Sequence, residues 1–171
     1  MPPKLRLFLA LWPDAAVCQQ LADHAAGWTW PPGCARYAPL DWHVTLHFIG
    51  PVPSEHVPTL AAGVHVGMEP FTLRLDQPAL WHRGLAVLGA SRLPPPLRQL
   101  HDRLADALRR QGVAIDTRPF RPHVTLARQA HAAQAPTAFR PVEWCAQGYV
   151  LAVSTGDRSA RYQVLHRYGG S

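Results

Sequence analysis

Lysine is almost absent from this chain of 171 residues: Lys4 is the only one, beside sixteen arginines. A ligase that adenylates itself needs a nucleophilic lysine inside its active site. Lys4 stands too near the N-terminus for that role, so lysine-adenylate chemistry is not expected. No GxxxxGK(S/T) loop and no GxGxxG fingerprint occur, which sets aside P-loop and dinucleotide chemistry. Cysteine is scarce too. Cys18, Cys34 and Cys145 are odd in number and far apart, which argues against a disulfide framework or structural zinc and fits a reducing cytoplasm. Nothing approaches the roughly 18 uninterrupted apolar residues of a membrane span. The opening "LRLFLALW" is interrupted by Arg6 and lacks a small-residue cleavage site, so it reads as a buried strand rather than a signal peptide.

What is present is apolar and basic. Hydrophobic residues make up 47% of the chain, enough for a sizeable core, and the length suits one domain, 1–171, built of two tightly joined lobes. The net charge is +6 and the sequence pI about 9.9. Arginine suits bidentate phosphate recognition and base stacking. A GC-rich genome explains an excess of Arg, Ala, Pro and Gly equally well, but the basic balance itself favours a polyanionic partner.

The periodicity alternates strands and helices. "KLRLFLALW" is a strand closed by Pro13, and Asp14 caps a helix ending at Gly27 with Val17 and Leu21 inward. Trp42 to Ile49 is a strand, and Ser54 opens a helix to about Val66. "FTLRL" and "LAVLGAS" are strands. The helix opened by "PPPLRQL" carries Leu97, Leu100, Leu104 and Leu108 on one face and stops at Gly112. Strands at "HVTLAR", "WCAQGYVLAVS" and "RYQVLHRY" follow. A strand–helix–strand unit thus appears in each half. This predicts an α+β, duplicated two-lobed fold, with antiparallel sheets facing a central cleft and helices on the outside.

The two halves share a word. "HVTL" stands at 43–46 and again at 123–126. Alternation along a strand puts His43 and Thr45 on one face and Val44 and Leu46 on the other, and likewise His123 and Thr125 against Val124 and Leu126. One face belongs to a core; the other offers an imidazole and a hydroxyl, twice. A lone His-x-Thr pair is an ordinary half-exposed strand, but two copies in equivalent places of a duplicated chain bring two histidines and two threonines around one cavity. Imidazoles titrate near neutral pH and can serve as general base and general acid. The hydroxyls can hydrogen-bond phosphoryl oxygens. Displacement at a phosphodiester needs this pairing, one histidine for the entering oxygen and one for the leaving oxygen.

A metal site fits poorly. His43 and His47 have the helical spacing of a zinc motif, but on a strand four residues span about 13 Å. The remaining histidines, among them His24 and His101, read as mostly exposed helix and loop residues without a ligand grouping.

These motifs resemble those of the two-histidine phosphoesterases, and most nearly the bacterial RNA 2′,3′-cyclic phosphodiesterases, also called 2′-5′ RNA ligases. The resemblance covers nearly the whole chain, through "RLFLALWP", "HVTLHFIG" and "RPFRPHVTLAR". The last is the most specific, since the family's second motif sits in such an Arg-Pro-Phe-x-Pro context. "LAVLGA" departs from the pattern, because relatives often carry a Trp before the Leu-Gly; altered packing or an altered cleft wall is the expected result.

The resemblance implies hydrolysis of an RNA terminal 2′,3′-cyclic phosphate to a 2′-phosphate, without metal, ATP or other cofactor. His43 would protonate the leaving 3′-oxygen, His123 would activate water, and Thr45 and Thr125 would hold phosphate oxygens. The pseudo-symmetry allows the two histidine roles to be exchanged. Ligation is then the reverse reaction, an RNA hydroxyl joining the cyclic phosphate. The implied partner is RNA with a cyclic-phosphate end, tRNA fragments included, and a cytoplasmic monomer is expected.

Phe48 and Arg128 each follow their motif histidine by five residues, and a ring and a guanidinium plane could sandwich a base. Strict alternation points that position away from the histidine face, so a bulge or strand end is needed; for Phe48 a place in the core is an equal reading. Trp12 is a weaker stacking candidate. Two rival functions stand beside this one: a non-catalytic RNA-binding module, and a phosphodiesterase for small cyclic nucleotides or 2′-5′ oligonucleotides.

Overall fold

Eight residues at the start of the chain, Lys4–Leu11, form the first strand, β1, and both of its faces are used. Leu7, Leu9 and Leu11 enter the main core, while Phe8 and Ala10 join Val150 and Ala152 in a smaller cluster on the other face. The computed structural model describes residues 3–170. Helix α1 (Ala15–Ala26) begins where Asp14 Oδ1 accepts the Val17 N–H at 2.8 Å and ends at Gly27. A two-residue strand, β2 (Ala35–Arg36), and a short 3₁₀ turn at Pro39–Asp41 lead into β3 (Val44–Pro53). After a second 3₁₀ turn at Ser54–His56 comes α2 (Val57–Gly63), then β4 (Phe71–Leu75), β5 (Gln77–Trp81) and β6 (Leu85–Gly89). Helix α3 (Pro95–Arg110) precedes β7 (His123–Arg128), β8 (Val142–Ala146), β9 (Gly148–Ser154) and β10 (Tyr162–Gly169).

The strands pair in the order β10-β9-β1-β3-β7-β6-β5, and every pairing is antiparallel. The two halves, β10-β9-β1-β3 and β7-β6-β5, meet through a single ladder pair, Val44 with Val124. On one face Leu97, Leu100, Leu104 and Leu108 of α3, and Val17 and Leu21 of α1, cover the sheet with no more than 4% exposure, which removes the apolar face of each strand from water. On the opposite face the smaller cluster draws no residue from a helix among the described residues, and this face forms the cleft. The expected fold class, helices packed outside antiparallel sheets, is what the chain adopts.

Three details depart from the sequence pattern. "QPALW" is a strand, β5, although Pro78 cannot donate to a ladder; it lies at the sheet edge, where proline is tolerated. "WCAQGYVLAVS" is broken: β8 pairs with β4 in a separate two-stranded sheet, and Gly148 opens β9 in the large one. The Gln20 amide occupies the free edge of β8, donating to the Glu143 carbonyl at 3.1 Å and accepting its N–H at 2.9 Å. Finally, His24 is not exposed as expected. It is 4% accessible on the inner face of α1 and accepts the Trp28 indole N–H at 2.9 Å. Among the described residues no helix is long and apolar enough to cross a membrane.

Candidate active site

Both motifs sit at the seam. Val44 and Val124 are fully buried and pair with each other, so their neighbours point the other way, into the cleft. The antiparallel register sets His43 on the Thr125 side of the seam and Thr45 on the His123 side. All four side chains are half-buried. The structure therefore brings together the four residues singled out from the sequence.

Each imidazole is held by the same local device. His43 Nδ1 lies 2.8 Å from the Asp41 carbonyl oxygen, and His123 Nδ1 lies 2.7 Å from that of Arg121, in both cases two residues back. A carbonyl only accepts, so Nδ1 carries the hydrogen and Nε2 is left with a lone pair for the cleft. His43 Nε2 is 3.1 Å from the Thr45 hydroxyl, which can donate to it.

Aromatic rings fix the imidazoles from the side. Trp12 stacks on His43 with centroids 5.3 Å apart and planes within 8°, and the Tyr162 ring meets His43 edge-on at 4.9 Å. Phe8 closes the same pocket at 5.0 Å. In the other half Trp81 lies 4.3 Å from His123, and the Arg121 guanidinium sits 4.3 Å over the Trp81 ring. Val87, at the departure in "LAVLGA", is fully buried opposite Thr125. Trp81 and Tyr162 were not legible as site residues. They enter through β5 and β10, at sequence positions with no motif of their own.

Burial pushes the His43 imidazole down to about 4, against the Asp41 carbonyl that favours its charged form, and the neighbouring His123 lowers it further. His123 is likewise lowered by burial, then by the Arg121 charge, while its carbonyl partner opposes. Both resting imidazoles are neutral near pH 7.

The position five residues after each histidine is resolved by twin β-bulges. On β3 the pairing steps from Ala10–Thr45 to Leu9–His47, leaving Leu46 as the extra residue. On β7 it steps from Val87–Thr125 to Ala86–Ala127, leaving Leu126. Each bulge turns two successive residues to the core, Leu46 with His47 and Leu126 with Ala127, and returns the next one to the cleft face. Phe48 and Arg128 are those next residues. Phe48 is 72% exposed, so a place in the core is ruled out. The strands run in opposite directions from the seam, so Phe48 lies beyond His123 and Arg128 beyond His43. They cannot sandwich one base between them. Trp12, the third stacking candidate, already has His43 on its face.

Behind the first bulge, His47 donates Nε2–H to the His101 carbonyl on α3 at 2.8 Å and stacks on the His101 ring at 4.0 Å. His101 stacks in turn on Phe120 at 4.1 Å, in the segment that leads to His123. Both motif strands are thus tied to one helix.

Residues 13–152, which contain both motifs, match the family model for the 2′-5′ RNA ligase superfamily. The chain belongs to that superfamily. A curated relative named RNA 2′,3′-cyclic phosphodiesterase, from Escherichia coli strain K12, is 36% identical over 169 residues, covering 95% of each chain. The crystal structure of E. coli LigT in apo form superposes with a TM-score of 0.81 at 29% identity, covering 98% of both chains. LigT complexed with 3′-AMP gives 0.79 at 28% identity, covering 97% of this chain and 98% of that one.

In this superfamily member the buried histidines set an acid limit on stability. Burial lowers His24 and His43 to about 4; burial, followed by the neighbouring His47, does the same to His101 against the opposing Asp102 carboxylate. Their unfolded value is about 6.5. A depressed imidazole contributes stability above its unfolded value and loses it as pH falls, because the unfolded chain then binds more protons. Thermal unfolding at pH 5 should therefore occur well below that at pH 7. His24→Gln, whose amide oxygen can still accept from Trp28, should reduce the difference.

Proposed function

We propose that this chain hydrolyses RNA 2′,3′-cyclic phosphate ends to 2′-phosphates, with His43 as general acid and His123 as general base. The observation that carries the reading is the pair of imidazoles with tautomers fixed by the Asp41 and Arg121 carbonyls. His123 Nε2 takes a proton from water as the water oxygen bonds to phosphorus. The P–O3′ bond breaks, and His43 Nε2–H delivers its proton to O3′. Thr45 and Thr125 donate to the non-bridging oxygens, and the anionic substrate raises His43 so that it enters the reaction protonated. Phe48 offers its ring to a base on the His123 side, Arg128 its guanidinium to substrate on the His43 side, and Trp12 holds His43 in line. Residues 1–171 act as one cytoplasmic, monomeric catalytic unit. An RNA hydroxyl in the place of water gives 2′-5′ ligation.

The names of the curated relatives support this substrate, and the LigT complex with 3′-AMP supports a nucleotide in the cleft. No group of three or more His, Cys, Asp or Glu side chains stands in a metal-ligating arrangement among the described residues. The deciding experiment is incubation with an RNA ending in 2′,3′-cyclic phosphate, with and without a chelator. NMR should assign the product as a 2′-phosphate in both. No turnover would favour the binding-module reading, and loss to chelator with rescue by one metal would overturn the mechanism.

The pH profile follows from the depressed histidines. For free enzyme, kcat/KM falls in acid as the base His123 is protonated and in alkali as the acid His43 loses its proton. Both groups are lowered, so the kcat/KM bell should be centred below about 6.5, the ordinary imidazole value. The kcat bell should lie higher, because bound phosphate raises both groups. A kcat/KM bell centred above neutrality would contradict the assignment.

A further inference from the structure

At the His43 end of the seam, lined from both halves of the sheet, lies a small cavity of about 140 Å³. Arg128 reaches it from β7, Ser154 from the end of β9, Asp157, Arg158 and Arg161 from the loop that follows, and Tyr162 from the start of β10. Arg128 and Arg161 share one ring: their guanidiniums lie 5.5 and 5.2 Å over Tyr37, which is 7% exposed. Three cations, one from β7 and two from a single loop, thus converge with little to balance them. Arg161 Nε has Asp41 Oδ2 at 3.5 Å, and among the described residues Arg128 and Arg158 have no ion pair. The Asp157 carboxylate is committed to its own turn, where Oδ1 accepts the Ser159 N–H at 2.9 Å and the Ser159 hydroxyl at 2.8 Å.

The loop is organised before any ligand arrives. Thr155 N–H donates to the Arg161 carbonyl at 2.9 Å, the Thr155 hydroxyl donates to the Ala160 carbonyl, and Gly156 takes a positive φ of 78° to make the turn. Three like charges gathered on an ordered frame, with one of them facing Asp41 and the Asp157 carboxylate tied into its own turn, make a site for an anion. The Tyr162 ring that lines the cavity is the one that meets His43 edge-on at 4.9 Å, so one ring separates the cavity from the reacting centre.

We propose that Arg128, Arg158 and Arg161 bind the phosphate joining the terminal nucleotide to its 5′ neighbour, so that the enzyme selects RNA strands over cyclic mononucleotides. The inference rests on the proposed function. There His43 protonates O3′, so the ribose, and the strand attached to it, leave the centre on the His43 side. On the His123 side Arg121 is already laid over Trp81. The charge asymmetry therefore also assigns the acid and base roles that the twofold pattern leaves exchangeable: the histidine nearer the arginines serves the strand, and the other serves water.

The test compares kcat/KM for a 2′,3′-cyclic mononucleotide and for a short RNA with the same cyclic end. The same RNA is also bound across salt concentrations by fluorescence anisotropy. The proteins are wild type, Arg158→Gln, Arg158→Lys and the charge-matched control Arg92→Gln, which alters an exposed arginine outside the cavity. Arg158→Gln should lower the ratio of strand to mononucleotide kcat/KM roughly tenfold. It should also reduce the slope of log K against log salt by about one. Arg158→Lys should recover part of both, and Arg92→Gln should keep the wild-type ratio. An unchanged ratio and slope in Arg158→Gln, with both substrates cleaved, would overturn the phosphate site and leave the catalytic reading standing. A reduced slope without turnover of either substrate by wild type would support the phosphate site and overturn the catalytic reading.

Discussion

His43→Ala and His123→Ala are each expected to lower turnover of a cyclic-phosphate RNA by about 10²–10⁴ or more, the usual value of one positioned proton transfer. Both histidines stand on the cleft face with Nδ1 tied to a backbone carbonyl, and only the Thr45 hydroxyl, which is not a titratable group, reaches the His43 Nε2. Because the transfers belong to one displacement, the losses should not multiply. The double variant should be little slower than the worse single. Thr45→Ala and Thr125→Ala should cost less, since each removes one hydrogen bond of several at the phosphate. Single-turnover rates for the four single variants and the double decide the matter. Near-wild-type turnover in either histidine variant refutes the two-histidine mechanism, and so do single losses that multiply fully.

The largest effect on stability is expected at Gly148, where β8 of the small sheet hands the chain to β9 of the large one. A β-carbon there would collide with the Tyr168 carbonyl oxygen and crowd Gly169, 3.2 Å away. These are backbone atoms in the β9–β10 ladder, so no side chain can swing aside. Gly148→Ala should cost at least the upper end of the about 1–3 kcal/mol of ordinary overpacking. Gly67→Ala, with nothing within 4 Å, is the control and should be close to neutral. Urea unfolding of the two variants compares them, and equal midpoints would show that β9 and β10 separate without cost.

The catalytic face could be read from the chain because alternation is local: Val44 and Val124 needed only a core to turn His43 and His123 outward. A bulge or strand end could be named as a requirement of the position after each motif, but the place of the bulges could not be read. Leu46 and Leu126 are ordinary strand residues, and their lack of a partner depends on how β1 and β6 register against them. Strand β5 was hidden because Pro78 is tolerated only at an edge, and an edge is a property of the assembled sheet. His24 was misjudged for a similar reason. It follows Val17 and Leu21 on the buried face of α1, but only the fold shows Trp28 arriving to satisfy it. Tyr162 and Trp81 reach their histidines from strands far away in sequence, so nothing near either motif announces them.

The twin bulges also govern which changes this chain can absorb over generations. Between each threonine and the residue three places on, two residues lie in the core where plain alternation would hold one. Deletion of one of the two would remove the bulge and leave Phe48 or Arg128, then four places after its histidine, still on the cleft face. Loss of a bulge at unchanged length would instead turn Phe48 or Arg128 inward and the core residues beyond it out to water. Point substitution at residues 48 and 128 leaves both ladders intact. Drift in what the cleft prefers to bind is therefore open through exchange of those side chains and closed through a slip of register.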